Sequence, residues 1–127
     1  MVNAIQAAQK AARKAIEATY FGTLTVTERK KEKDERSKLT MSAPIVVLEN
    51  QPCKLSFETL KSATQSASAA SIMQVTKLFV SPDISIKPGS KITVSQDDVT
   101  TDYTSSGVPA VYPTHQEIIL ELFKEFA

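Results

Sequence analysis

From Gly22 onward the sequence alternates between apolar and polar residues, and this period of two constrains the fold more than any other feature. In the first such run, Leu24 and Val26 alternate with threonine. Successive side chains of a strand point to opposite faces, so a run of this kind predicts a half-buried strand. Serine and threonine supply 26 of the 127 residues and glycine only 3. This composition favours strands and polar surface over a glycine-rich phosphate-binding loop.

Turn residues divide the rest of the chain into further short strands. Pro88 and Gly89 lie at the centre of residues 87–90, where glycine accepts the positive φ of a type II turn. Ile84 and Ile86 continue the alternation up to this turn. Six or seven strands are predicted in all. The other segments with strand signals are residues 39–41, 45–48, 53–57, 72–80, 92–94 and 99–103.

The C-terminal residues 115–126 fit both a helix and a strand. Thr114 with Glu117 matches a capping box, and the apolar residues that follow suit a helix. In a strand, Ile118, Leu120 and Leu122 would share one face, opposite Glu117 and Glu121. Periodicity alone does not separate the two structures, so both stay open at this point.

The first residues differ from the rest because their apolar side chains recur every three or four positions. Asn3 is a suitable N-cap and the residues after it are rich in alanine, so residues 3–19 are predicted to form a helix. Its apolar stripe consists mostly of methyl groups, each of which buries little area. The helix either covers one end of the β domain or lies against another subunit. The residues of the candidate subunit interface are Ile5, Ala8, Ala12 and Ile16.

Two internal segments have unusual compositions. Residues 29–38, RKKEKDERSK, contain six basic and three acidic residues. These mixed signs favour a solvated hairpin tip or loop over a phosphate-binding patch. Residues 61–71, KSATQSASAAS, are small and mostly polar, which predicts a long mobile loop. A loop of this length is uncommon in so small a domain unless it has a function.

The sequence holds no recognisable catalytic constellation. One cysteine and one histidine are too few for a structural zinc site, which needs about four ligands. Cys53 shares a face with apolar residues and is predicted to be a small core residue, and His115 a structural hydrogen-bonding residue. Asp97, Asp98 and Asp102 lack the spacing of an EF-hand loop and are predicted to belong to a solvated turn. We therefore predict no catalytic residues, no metal site, no cofactor and no enzymatic activity.

Charge and cysteine content limit the class of partner and the compartment. Fifteen basic and fourteen acidic residues give a formal net charge of +1, which argues against a dedicated nucleic-acid binder. One thiol cannot form a disulfide within the chain. No stretch approaches the roughly 20 apolar residues that span a bilayer, and charged residues interrupt any signal-peptide-like run near residue 10. We expect a soluble protein, made in a cytoplasm, that contacts no membrane.

These observations predict a mainly β protein, a small β-barrel with an N-terminal α-helix and a long central loop. Residues 1–19 would form a helical arm and residues 20–127 the barrel domain. Domains of this kind without catalytic residues act through surfaces, as subunits of an assembly or as binding modules. A β-barrel binding module of a different assembly is the alternative. If the protein is a subunit of an assembly, its mass in solution should be far above the 13.9 kDa of a single chain.

Three segments resemble one known family. They are AIEATYFGTLTV (residues 15–26), KLFVSPDISIKPGSKITV (residues 77–94) and YPTHQEIILEL (residues 112–122). Their shared pattern is an apolar strand, a Pro-Asp turn, an I-K-P-G hairpin and then Y-P-T-H-Q-E. From about residue 15 onward the chain resembles the head-closure, or head-tail connector, proteins of tailed bacteriophages and defective prophages of Gram-positive bacteria. The resemblance favours a strand over a helix for residues 115–122.

The resemblance implies a virion protein of the neck, with a tail-terminator-like protein as the alternative. Its β-barrel subunits would form a homo-oligomeric ring, twelvefold by preference with sixfold as the alternative, beneath the portal. The implied partners are a portal or adaptor protein, a tail terminator or other tail proteins, and double-stranded DNA that passes through the lumen without sequence readout. By position, residues 60–71 would be the loop that projects into the lumen. Its candidate gating residues are Lys61, Ser62, Thr64, Gln65, Ser66 and Ser68.

Overall fold

Six strands close into a β-barrel in the computed structural model of this chain, which describes residues 3–33, 40–61 and 72–126. A helix precedes the barrel, and a two-residue strand lies at its edge. The mainly β class predicted from the sequence, a small barrel with an N-terminal helix, is confirmed. The elements are α1 (Ala4–Glu17), β1 (Gly22–Lys33), β2 (Thr40–Lys61), β3 (Ile72–Val80), β4 (Lys91–Gln96), β5 (Val99–Ser105), β6 (Ala110–Val111) and β7 (Gln116–Leu122).

The barrel is antiparallel and follows the order β3-β2-β1-β4-β5-β7, with β7 pairing back onto β3. Closure depends on β7, whose first half pairs with β3 and whose second half pairs with β5. The C-terminal segment that fitted both a helix and a strand is therefore a strand from Gln116 to Leu122. Closing the sheet satisfies backbone groups that an open edge would expose.

The interior of the barrel is filled by side chains. Every strand of the barrel contributes alternate residues, as the period of two in the sequence predicts. Leu78, Ile92 and Val94 are fully buried, and so is Cys53, the predicted small core residue. In the described part of the chain the barrel therefore has a packed core. The buried apolar residues are Leu24, Val26, Cys53, Leu55, Leu78, Val80, Ile92, Val94, Tyr103, Ile118 and Leu120.

One long strand, β2, replaces the three short strands predicted at residues 39–41, 45–48 and 53–57. It pairs with β1 up to Cys53 and with β3 from Cys53 onward. The sequence pattern places strand boundaries at Pro44 and Pro52, but both residues lie where β2 pairs only with β1, and proline is tolerated where its missing N–H faces an unpaired edge. Two register shifts, one beside Asn50 with its positive φ of 53°, each add a residue to β2. These bulges bend the strand so that it serves two neighbours.

Gly22 and Gln96 close the corner where β1 begins. A Cβ at Gly22 would lie 3.1 Å from the Cys53 carbonyl oxygen, so a side chain here would require the neighbouring backbone to shift. The pairing of β1 with β2 stops at Gly22 and Cys53, so the backbone of Leu55 has no neighbour in β1. The Gln96 side-chain amide takes that place, accepting from Leu55 N at 2.8 Å and donating to Leu55 O at 3.3 Å. A side chain thus replaces one step of the β ladder.

The N-terminal helix begins as the sequence predicts. Asn3 accepts a hydrogen bond from Gln6 N at 2.8 Å, and the Gln6 side chain accepts one from Asn3 N, which completes a capping box. The helix ends at Glu17, two residues before the predicted boundary, and Ala18 is its C-cap. Residues 18–21 then form the short connection to β1.

Three further segments differ from the sequence-based prediction. Of the run 29–38 that is predicted as a hairpin tip or loop, residues 29–33 extend β1 and pair with the start of β2 as one hairpin, and residues 34–38 lie outside the described residues. Residues 60 and 61, predicted as loop, lie in β2 opposite Met73 and Ile72 because the ladder with β3 continues to that point. Residues 84–86 form no strand; Ile84 and Ile86 are half-buried and pack on the core from an irregular segment.

The turn at residues 87–90 has the predicted geometry and supports a stability prediction. Gly89 has a φ of 85°, and Ser90 N donates to Lys87 O at 3.2 Å. A β-branched side chain resists positive φ, so Gly89→Val should lower the free energy of unfolding by roughly 1–3 kcal/mol. Gly89→Asn is the control, since asparagine accepts this conformation. An unchanged denaturation midpoint for the valine variant would contradict the turn assignment.

Candidate assembly surfaces

A buried glutamine ties the segment between β3 and β4 to the barrel. Gln116, the first residue of β7, is 3% exposed. Its Nε2 donates to the carbonyl oxygens of Ser81 at 2.8 Å and Ile84 at 2.5 Å. These two bonds hold residues 81–86 so that Ile84 and Ile86 pack on the core. The segment is therefore a fixed part of the barrel surface and can serve as a docking point.

The helix is fastened to this same segment by one guanidinium. Arg13 Nη2 donates to Ser81 Oγ and to Asp83 Oδ2, both at 2.7 Å. Arg13 Nε also donates to Glu17 Oε1 at 3.2 Å within the helix. The hydrogen bond to Asp83 raises the pKa of the Arg13 guanidinium most, and the hydrogen bond to Glu17 raises it further. The guanidinium of Arg13 therefore faces the barrel.

The apolar stripe of α1, which is predicted to form a subunit interface, is largely exposed to solvent. None of the fourteen residues of α1, all of them within the described chain, is buried. Ile5 is 70% exposed, and Ala8 and Ala12 are exposed as well. Ile16 alone of the four predicted interface residues is half-buried, because it lines a groove between the helix and the barrel. The role of this stripe as a subunit interface stays a prediction.

The groove beside Ile16 contains a buried hydroxyl. It runs between the end of the helix and the outer face of β2 and β3, and is lined by apolar and polar side chains. Within the described part of the chain, Tyr20 Oη is buried and has no hydrogen-bond partner. Burial is the main cause that raises the pKa of Tyr20, and the negative charge of Glu17 raises it further. The lining residues are Ile16, Thr19, Tyr20, Lys54, Phe79 and His115.

His115 has the structural role that the sequence indicates. Its ring stacks on Tyr112 with centroids 4.9 Å apart, and its Nδ1 lies 2.9 Å from Thr114 Oγ1. Its Nε2 lies 3.2 Å from Glu117 Oε2. Tyr112 N donates to the His115 carbonyl oxygen at 2.8 Å, which fixes the bend before β7. The segment Y-P-T-H-Q-E is thus a folded corner that leads into the closing strand.

A charge network extends from this corner across the outer face of the barrel. Lys77 Nζ lies 3.3 Å from Glu117 Oε1 and 3.7 Å from Glu58 Oε1, so it links β2, β3 and β7. Burial raises the pKa of Glu117, but hydrogen bonds from His115 and Lys77 outweigh it, and the net effect is a lowered pKa. The ionised carboxylate is the form that stabilises the fold.

The lowered pKa of Glu117 predicts how its contribution varies with pH. A depressed folded-state pKa stabilises the protein above the unfolded-state value, and this contribution disappears as the pH falls through the folded-state pKa. We expect Glu117→Gln to lower the free energy of unfolding by about 1 kcal/mol at pH 7, and the difference from wild type to shrink as the pH falls through the lowered folded-state pKa. Glu121→Gln, on the exposed part of β7, is the control. Urea denaturation across this pH range measures both; a pH-independent difference would contradict the network.

The other residues singled out for chemistry have structural roles. Cys53 is fully buried, and burial raises its pKa to about 12, so the thiol stays protonated and the prediction of a core residue is confirmed. Asp97 and Asp98 have φ values of 52° and 62° and form the two-residue turn between β4 and β5. Asp102 Oδ1 accepts from Thr93 Oγ1 at 2.7 Å across the same hairpin. These three residues thus form the predicted exposed turn and its strand.

Several predicted site residues lie outside the described residues. These are Ser62, Thr64, Gln65, Ser66 and Ser68 of the proposed lumen loop; Lys61 is described only as a backbone position in β2. Pro88 and Gly89 occupy the turn predicted for them. Among the described residues, no group of three or more histidine, cysteine, aspartate or glutamate side chains is arranged to hold a metal ion. No helix in the described residues has the length and apolar character needed to cross a membrane.

Sequence reasoning missed two residues that organise this surface. Gln116 falls on the inward face with Ile118 and Leu120, so its burial follows from the period of two. Extending the strand to include Gln116 would have shown a buried amide that needs partners. Arg13 gave no comparable signal, because its partner Asp83 is 70 residues away in the chain.

Comparison with known proteins assigns no family. No family model matches the chain, and no curated protein matches it. A solved structure with a similar course of the backbone is the phage-like element PBSX protein xkdH from Bacillus subtilis. The two chains share 8% sequence identity with a TM-score of 0.46, over 82% of this chain and 96% of that one. These values do not establish membership in a common family.

Proposed function

We propose that this chain is a head-closure subunit of a tailed bacteriophage or defective prophage. Copies of its barrel form a ring beneath the portal, extend the channel for double-stranded DNA and join the head to the tail. The chain acts without a cofactor, as a structural protein of the neck. The proposal rests on the residues that resemble this family and on where those residues lie in the fold.

The observation that carries the proposal is the position of Y-P-T-H-Q-E-I-I-L-E-L. These residues form the corner around His115 and then β7, the strand that closes the barrel onto β3 and β5. The resemblance implied that this segment runs into a barrel strand, whereas periodicity left a helix equally open. The segment I-K-P-G likewise forms the tight turn with Gly89 at positive φ. Two of the resembling segments thus build the barrel at its closing strand and at one turn.

The filled barrel determines where DNA would pass. Leu24, Leu78, Ile92 and Ile118 occupy the interior of the subunit, so a duplex cannot run through it. A channel must lie between copies arranged about an axis, which requires an oligomer. The net charge of +1, and a lumen-loop candidate without arginine or lysine beyond Lys61, suit a surface along which DNA slides.

Genetic removal of the chain in a phage or prophage that encodes it tests the proposal. A nonsense mutation early in the gene should give lysates in which heads and tails are present but not joined. The heads should package DNA and then lose it. Supplying the wild-type chain in trans should restore joined, infectious particles. Normal tailed particles in the absence of the chain would contradict the assignment. An arrest before DNA packaging, together with a supplied wild-type chain that is found in a part of the particle other than the neck, would contradict it as well.

A further inference from the structure

Phe21, immediately before β1, presents an aromatic ring to solvent with two carboxylates beside it. Phe21 is 58% exposed, and it lines one cleft together with Asp97 and Asp98, the exposed residues of the β4–β5 turn. Aromatic side chains are enriched in protein interfaces, and charges around them determine which partner fits. We call Phe21, Asp97 and Asp98 the acidic knob.

A groove of opposite charge lies beside the turn at residues 87–90. Its volume is about 180 Å³, and Phe126 and Pro88 form its apolar part. A cavity of about 150 Å³ is large enough for benzene, so one phenyl ring fits in this groove. Three basic residues and one acidic residue give the groove a net charge of +2. We call it the basic groove, and its charged lining residues are Glu28, Arg29, Lys30 and Lys87.

The two surfaces lie too far apart to meet within one chain. β1 and β4 are paired over residues 23–27 of β1. The acidic knob lies at the end of this paired region where β1 begins and β4 ends, and the basic groove lies at the opposite end. From Phe21 to Arg29 the chain advances eight residues, or about 26 Å along a strand. Any contact between the knob and the groove therefore joins two copies of the chain.

We propose that the acidic knob of one copy docks in the basic groove of the next copy, with Phe21 against Phe126. The two carboxylates of the knob match the net charge of +2 in the groove. Each copy carries the two surfaces at opposite ends of the same strands, so every contact is head-to-tail. Contacts of this kind close into a ring when the rotation between copies permits. The inference rests on the proposed function, since it names the contact by which the ring forms.

A second copy of the chain accounts for both surfaces at once. Docking removes the Phe21 ring from water, and it places each carboxylate of the knob near basic groups instead of beside its like-charged neighbour alone. Lys87 is available for this contact because its side chain is 74% exposed, although its Nζ lies 3.8 Å from Glu28 Oε1. A partner that is only negatively charged, such as DNA, would occupy the groove and leave the knob exposed.

Variants of the knob measure what the contact contributes to assembly. Asp97→Asn/Asp98→Asn removes both charges and keeps the turn, because asparagine accepts the positive φ of these two positions. We expect this variant, and separately Phe21→Ala, to raise the apparent dissociation constant of the oligomer about tenfold or more in analytical ultracentrifugation.

The matched controls change the same chemistry at other exposed positions. Glu49→Gln/Glu121→Gln removes two exposed carboxylates from β2 and β7, and Val108→Ala shortens a residue that is 94% exposed. Both controls should assemble as the wild type does. Circular dichroism of each variant verifies the fold.

Crosslinking shows whether the two surfaces meet. Thr100 lines the cleft of the knob and Lys30 lines the groove, so a short bismaleimide cannot join them within one chain. Lys30→Cys/Thr100→Cys should therefore give a series of crosslinked products from the dimer up to the ring, and either single variant should give none. Cys53 is fully buried and should not react. Lys10→Cys/Thr100→Cys, with its first cysteine exposed on α1, is the control and should give no series.

Three results would overturn the inference while the proposed function stands. The first is assembly of both knob variants as in the wild type, and the second is a crosslinking pattern equal to that of the control. The third is loss of duplex DNA binding in Lys30→Glu/Lys87→Glu without a change of mass, which would assign the groove to DNA. A wild-type chain that stays at 13.9 kDa at every concentration would also overturn the inference, and its absence from the neck of the particle would refute the proposed function as well.

Discussion

Replacing Gln116 with leucine is expected to lower the free energy of unfolding by about 3 kcal/mol. The variant removes two hydrogen bonds from a side chain that is 3% exposed. The carbonyl oxygen of Ile84 loses this donor, and that of Ser81 keeps only the hydrogen bond from Ile84 N at 3.2 Å. A buried polar group that loses its partner costs about 1–3 kcal/mol. Urea denaturation followed by circular dichroism measures the change.

Gln74→Leu is the matched control for this substitution. Gln74 is an exposed glutamine of β3, so the same exchange there should change the stability by less than about 0.5 kcal/mol. A similar small effect at position 116 would contradict the anchoring role of Gln116. If the large effect is found, residues 81–86 should also become accessible to proteases in the variant before global unfolding.

Replacing residues 62–71 with a short Gly-Ser linker is expected to abolish infectivity while the chain still folds. Lys61 and Ile72 pair as the last residues of the β2–β3 ladder, so the exchange should begin at residue 62. In the proposed ring, equivalent segments around one axis narrow the channel, and their low positive charge lets DNA leave. Heads that carry the variant should lose DNA or fail to join tails, as counted by electron microscopy and plaque titre.

The control for this exchange is the sequence of the same segment in scrambled order. It keeps the length and composition of residues 62–71, so it should preserve any function that depends only on a small, weakly charged segment. Infectious particles of normal titre with the Gly-Ser linker would show that the segment is not a gate. A loss of fold by circular dichroism would instead place the segment among the residues that stabilise the barrel, which also contradicts the prediction.

The barrel was predictable from the sequence because its core follows the period of two. Leu24, Val26, Ile92 and Val94 were each assigned to strands by alternation, and all are buried. The single long β2 was not predictable in this way, because Pro44 and Pro52 punctuate it. Proline blocks a ladder bond only where its N–H would face a partner, and that depends on which neighbour the strand has at each position.

The assembly surface was less predictable, since it depends on contacts between distant residues. Arg13 and Asp83 are far apart in the chain, and nothing in the local pattern of either residue indicates the other. Gln116 was visible in principle, because alternation with Ile118 assigns it to the inward face. The ambiguity of helix and strand at residues 115–126 concealed it. Closure of β7 against β3 and β5 resolves that ambiguity, since periodicity within the segment cannot.

A cryo-electron microscopy reconstruction of the neck of a particle that contains this chain tests the central claim most directly. We expect a ring of six-stranded barrels directly beneath the portal, each with a helix at its outside and none with a passage through its own core. The channel should lie along the ring axis, between the subunits. Density for the barrel at the capsid surface or the tail tip, or its absence from the particle, would contradict the assignment as a head-closure subunit.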